Sequence, residues 1–161
     1  MTRHNGGEPT IRRAVEADSH ALADLLWTVR VESVPAIPAL AHPRESVEPF
    51  VRGVLLAQFE VWVAELAERP VGFIAVMAPD QLGHLYIAAD HRDRGLGSRL
   101  VALAQDRFPG GLELWTFQSN DRARRFYRRN GFVDAEHTDG DTEEGAPDVR
   151  MVWRPSSDLD A

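Results

Sequence analysis

The sequence predicts a mixed α/β (α+β) fold: a central, mostly antiparallel sheet of six to seven strands with helices on both faces. Three observations lead there. Strand-like apolar runs at Phe59–Glu65, Val71–Met77 and Leu82–Ala89 follow one another with short links, the spacing of an antiparallel meander. The third run passes through a charged loop with two glycines into an amphipathic helix. Another strand-like run, from Leu112 to Phe117, then leads to a helix that opens at Asn120 and closes at Gly131.

Taken in order, residues 1–9 carry Gly6, Gly7 and Pro9 and read as a flexible lead-in. Thr10 to Val15 is a first strand. Asp18 or Ser19 caps a helix with Leu22, Leu25, Leu26 and Val29 on one stripe. Pro35, Pro38 and Pro43 exclude a regular helix from Val34 to Pro43, so this is a loop; its Val34, Ile37 and Leu40 either cover a pocket or pack on the core. A second helix places Val47, Val51, Val54 and Leu55 on one side. After the meander come strand, helix, strand, helix and strand, with Val149 to Trp153 last and residues 155–161 as a tail. A chain of 161 residues without internal repeats, 43% of it hydrophobic, fits one domain over residues 10–154.

The stretch from Leu82 to Phe108 carries the chemistry. Asp90 and His91 end the apolar strand, and Arg92, Asp93, Arg94, Gly95, Leu96 and Gly97 form R-x-x-G-x-G before Leu96, Leu100, Leu103 and Ala104 recur at helical spacing. Glycines there permit positive φ and close approach to bare backbone, and the first N–H groups of a helix lack intrahelical partners. Such a corner holds an anion or is merely a tight strand–helix turn. Downstream, Asn120 stands as an N-cap, with Ala123, Phe126 and Tyr127 on one helix face and Gly131 just past its end.

With Arg92, Gly95 and Gly97 in R-x-x-G-x-G, and Asn120, Ala123, Phe126, Tyr127, Gly131 and Phe132 in N-x-x-A-x-x-F-Y-x-x-x-G-F, the chain resembles the GNAT superfamily of N-acetyltransferases. The resemblance is strong from Leu82 to Phe132 and extends by element order from Thr10 to Arg154. It implies acetyl-CoA as donor and direct acetyl transfer to a primary amine of a small molecule or a protein. In that reading the loop Arg92, Asp93, Arg94, Gly95, Leu96, Gly97 and Ser98 takes the pyrophosphate, chiefly through backbone N–H groups. The pantetheine arm pairs with the backbone of Leu85, Tyr86 and Ile87. Asn120 and Tyr127 flank the thioester, and Tyr127 donates to the departing sulfur. Arg124 and Arg128, one turn apart, approach the nucleotide end or are simply solvated.

The proton-accepting group departs from the family's pattern. Where branches of the family carry a glutamate, this chain has Leu82 and Trp115. His84, on the strand face of Tyr86, is the candidate base, since an imidazole with a pKa near 6.5 exchanges protons at neutral pH; Glu113 and Glu65 stand behind it. The missing glutamates leave open a second class of function, a non-catalytic acyl-CoA-binding module.

Composition narrows the partners. A net charge of −7 argues against general nucleic-acid binding. No apolar run reaches the length of about 18 residues that a membrane helix needs, and no leader is evident, so the expectation is a soluble cytoplasmic protein. Zero cysteines exclude disulfides and a cysteine nucleophile, and the scattered His4, His20, His42, His84, His91 and His137 suggest no metal. The acidic stretch from Asp134 to Asp148 suits a cationic acceptor or forms a solvated face. Trp27, Trp62, Trp115 and Trp153 are core or interface, which leaves a homodimer open.

Overall fold

A computed structural model describes residues 7–140 and 145–155. Seven strands form one sheet in the order β1-β2-β3-β4-β5-β7-β6. These are β1 (Thr10–Arg13), β2 (Glu60–Leu66), β3 (Arg69–Met77), β4 (Gln81–Ile87), β5 (Leu112–Phe117), β6 (Val133–His137) and β7 (Asp148–Trp153). Every neighbouring pair is antiparallel except β4 and β5. The meander β2-β3-β4 and the mixed sheet are as the sequence predicts. The final strand inserts between β5 and β6. Most of the lead-in and tail, and Asp141, Glu143 and Glu144 of the acidic stretch, lie outside the described residues.

Helices cover both faces. On one, α1 (Ser19–Glu32), α2 (Val47–Phe50), a π-helical segment Val51–Leu55 and the last turn α3 (Leu56–Gln58) bury Leu22, Leu26, Val47, Val51 and Leu55 against Val61, Val63, Phe73 and Ala75. On the other, α4 (Leu96–Arg107) and α5 (Asp121–Arg129) close over Ile74, Val76, Leu82, Leu112, Leu114 and Met151 with Leu100, Val101, Ala104 and Tyr127. Each large apolar side chain removed from water in these layers contributes roughly 1.5–3 kcal/mol before entropy is set against it.

Asp18 occupies the N-cap position of α1 but does not cap that helix with its side chain. Its carboxylate accepts from the Val15 N–H at 2.8 Å and from both terminal nitrogens of Arg12 at 2.9 Å, so it fastens β1 to the helix entry. Helix α1 ends where Ser33 Oγ donates to Val29 O at 2.7 Å and the prolines begin. The loop that follows does both things its apolar residues allow. Ile37 is buried, Leu40 packs on the α1–α2 core, and Ile37 also faces a cavity.

Two features of β4 position the site. Ala75 pairs with His84 but Val76 pairs with Leu82, so Gly83 is an extra residue in the ladder. Strict alternation would put Leu82, His84 and Tyr86 on one face. The bulge sends Leu82 into the α4-side core, while His84 meets Phe50 and Phe59 and Tyr86 packs on the α1-side core. A Cβ at Gly83 would lie 2.5 Å from the Phe59 ring, which is why glycine stands there. Second, β4 and β5 pair only at Gln81↔Glu113, with Glu113 N–H donating to Asp80 O at 2.7 Å. Beyond that point they diverge, and the β5-facing edge of Leu85–Ile87 opens on the gap.

The stretch from Asp134 to Asp148 is not one loop, because β6 occupies its start. Asp134 accepts from Arg124 at 3.1 Å and Arg128 at 2.9 Å, and Glu136 pairs with Arg150 at 3.2 Å. These charges serve the fold. Among the tryptophans, Trp115 is the exposed one, at 44%, whereas Trp62 lies between Arg13 and Arg107 and Trp27 and Trp153 pack on the cores. No helix among the described residues is long and apolar enough to cross a membrane.

Candidate active site

The glycine loop is held open by backbone conformation. Asp93 has φ 61° and Gly95 φ 82°, so the chain turns through two left-handed residues before α4 begins at Leu96. No side chain caps α4. The N–H of Arg99 donates to Gly95 O at 3.0 Å, so the N–H groups of Leu96, Gly97 and Ser98 precede the first intrahelical bond. A Cβ added at Gly95 would meet nothing within 4 Å, whereas one at Gly97 would sit 3.0 Å from the Phe126 ring. The first glycine thus fronts open space and the second lets α5 approach α4.

Helix α5 forms the opposite wall. Asn120 Oδ1 accepts from the Ala123 N–H at 3.2 Å, the expected N-cap, and Gly131 ends the helix region at φ 94°. Phe126 and Tyr127 pack edge to face at 5.1 Å, and Tyr127 rests on Phe132 at 5.5 Å. Between loop and helix lies a cavity of about 640 Å³. Of the residues singled out from sequence, Leu85, Tyr86, Ile87, Arg92, Asp93, Gly95, Gly97, Ser98, Asn120 and Tyr127 line it. Leu96 does not, being buried in the core beneath the loop, and Arg94 is exposed and outside the lining.

Sequence reasoning missed other parts of the wall. Val29 and Ser33 line it from the end of α1 and His91 from the loop before α4, while Ile37 of the proline-rich loop lines it in one of the two roles its sequence allowed. The proline-rich loop is tied across the cleft by Ser119 Oγ donating to Ala36 O at 2.8 Å, and to its own helix α1 by Arg30 donating to Pro38 O at 3.0 Å. On α5 the arginines facing the cavity are Arg122, Arg125 and Arg129, not Arg124 and Arg128, which turn to Asp134. Their 122/125/129 spacing is a helix stripe and was the available signal.

The sequence model of the Acetyltransferase (GNAT) domain matches residues 57–134. The peptidyl-lysine N-acetyltransferase YiaC of Escherichia coli (strain K12) is 34% identical over 145 residues, which span 89% of this chain and 95% of that protein. The chain belongs to the GNAT acetyltransferases. Its fold is shared with apo YjaB from Escherichia coli, at TM-score 0.72 and 24% identity over 92% of this chain and 99% of that one. It is shared equally with the PaiA N-acetyltransferase of Thermoplasma acidophilum solved with coenzyme A, at TM-score 0.72 and 20% identity over 92% and 99% of the two chains. This GNAT protein is therefore an acetyl-CoA-dependent N-acetyltransferase, an acyltransferase whose second substrate is an amine. Nothing in these likenesses favours a binding-only module.

Two titratable groups define what this GNAT site can do with protons. Burial, with Tyr86 adding to it, pushes the Tyr127 phenol above its ordinary value, so Tyr127 stays protonated and has an O–H to donate. Burial and, behind it, the charge of Arg30 push His84 down to about 4. His84 also stands outside the cavity lining, edge-on to Phe50 and Phe59 at 5.7 Å. Position and basicity both count against the base role expected for it. Glu65 is held by Arg12 at 3.1 Å, and Glu113 by Gln81 at 3.0 Å and Arg150 at 3.3 Å; neither lines the cavity.

Proposed function

We propose that the enzyme acetylates lysine side chains of proteins, with the donor laid between the glycine loop and α5 and the acceptor entering from the α1 side. The observation that carries this reading is the divergence of β4 and β5 after Gln81↔Glu113, which joins the anion-holding corner at Gly95–Ser98 to a cavity reaching Val29 and Ile37. The backbone edge of Leu85–Ile87 there offers hydrogen bonds to the amides of an extended pantetheine chain, as a missing neighbouring strand would. Backbone N–H groups at the start of α4, with the positive end of its dipole, receive the pyrophosphate, and Arg92 adds charge beside them. A protein acceptor is supported by the relative that acts on peptidyl-lysine.

In the transfer the neutral amine nitrogen bonds to the acetyl carbon, the carbon–sulfur bond breaks, and its electron pair goes to sulfur. Tyr127 donates its O–H to that sulfur. Because the phenol's pKa is raised above about 10 while a thiol's is about 8.5, Tyr127 stabilises the thiolate by hydrogen bonding rather than by complete early proton transfer. Among the described residues, the one carboxylate on the cavity wall is Asp93, and Arg122 pairs with it at 3.0 Å. The amine's proton accordingly leaves to water.

The test is thiol release from acetyl-CoA with lysine peptides, free-N-terminus peptides, polyamines and amino acids as acceptors. Lysine peptides are expected to turn over fastest. With water as acceptor of the proton, kcat/KM rises about tenfold per pH unit toward the amine's pKa of about 10.4, with no inflection between pH 4 and 8. Turnover of a small amine in preference to every peptide would overturn the protein-acceptor reading, and an inflection in that range would overturn the water route.

A further inference from the structure

The arginines of α5 divide by face. Arg124 and Arg128 both close on Asp134, and they hold β6 to the helix. Arg122, Arg125 and Arg129 face the cavity. Arg122 is neutralised by Asp93 at 3.0 Å, whereas among the described residues no carboxylate pairs with Arg125 or Arg129. Arg129 lies over the Phe126 ring at 6.0 Å, on the same cavity wall. Two positive charges one helical turn apart, on the wall of a concave site and without a paired carboxylate among the described residues, are matched to an external anion.

Coenzyme A carries two separate anionic groups, a pyrophosphate and a phosphate monoester on the ribose. The bare N–H groups of Leu96, Gly97 and Ser98 suit the first. We propose that Arg125 and Arg129 form a second anion subsite that receives the 3′-phosphate monoester and makes the enzyme select coenzyme A over its 3′-dephospho form. The inference rests on the donor placement proposed above. A monoester with charge of about −1.5 to −2 is the more concentrated of the two anions, and planar guanidinium forks bind its oxygens in pairs. Both arginines are solvent-exposed, so the gain is modest: about tenfold for the pair, falling as salt rises.

The experiment is calorimetric titration of the full-length protein with coenzyme A and with 3′-dephospho-coenzyme A, at low and high salt, on the wild type, the double variant Arg125→Ala/Arg129→Ala and the control Arg128→Ala. The wild type is expected to bind coenzyme A about tenfold tighter than the dephospho form, with the ratio shrinking in salt. The double variant brings the two ligands to within about twofold of each other, and Arg128→Ala keeps the ratio. A wild-type ratio near one, or a ratio that survives in the double variant, overturns the subsite and leaves the donor placement standing. Failure of the wild type to bind either ligand overturns both.

Discussion

His84→Phe separates a structural histidine from a catalytic one. The imidazole is enclosed by the rings of Phe50 and Phe59, each 5.7 Å away, with Tyr86 stacked at 6.1 Å, so a benzyl group suits the same surroundings. Folding moves the histidine from about 6.5 to about 4 through burial and then the Arg30 charge. Between those values the unfolded chain binds the proton more readily than the folded one. The sign follows: the contribution is fully present above pH 6.5, is lost as pH falls toward 4, and is constant below that. A move of that size is worth about 3 kcal/mol. Urea unfolding of wild type and variant at pH 7 and pH 4 measures it. The variant is expected to gain about 3 kcal/mol relative to wild type on going from pH 7 to 4. Stability curves that run parallel across this range would refute the burial argument. A second readout is the slope of kcat/KM with pH, which the variant should share with wild type; loss of that slope would restore His84 as the base.

Two further outcomes follow from the site. Tyr127→Phe removes a buried donor beside the proposed thioester position, so kcat should fall about a hundredfold while coenzyme A affinity, read by calorimetry, stays within a few-fold. Gly95→Ala places a Cβ where no protein atom lies within 4 Å, so its stability cost is the left-handed backbone alone, about 1 kcal/mol, and its larger effect is a rise of about tenfold in KM for acetyl-CoA as the methyl enters the anion corner.

What sequence made legible was what depends on local chemistry. Gly95 and Gly131 announce left-handed backbone, Asn120 announces a cap, and each of these is where it was expected. The meander was legible because short links leave antiparallel pairing as the simple solution. Features that depend on distant partners were not. Insertion of β7 between β5 and β6 is decided by which edge buries Val149 and Met151, and no local signal states it. The environment of His84 depends on one skipped residue, Gly83, and that glycine is dictated by Phe59, more than twenty positions earlier. The acidic stretch misled because its composition resembles a solvated loop, while Asp134 and Glu136 are strand residues whose partners, Arg124, Arg128 and Arg150, lie on other elements.

Helix α5 shows how the fold and the site share one short segment. It has nine residues and would be marginal alone. Its anchoring comes from Tyr127 in the core, from Gly97, whose missing side chain admits Phe126, and from Asp134 beneath Arg124 and Arg128. With one face so fixed, the remaining arginines project into the cavity from a wall that cannot rotate. Tyr127 in the core and Phe126 against Gly97 set which face of the helix Arg125 and Arg129 present to the cleft. Removing the Asp134 carboxylate would free Arg124 and Arg128 from β6 without touching any group that lines the cavity.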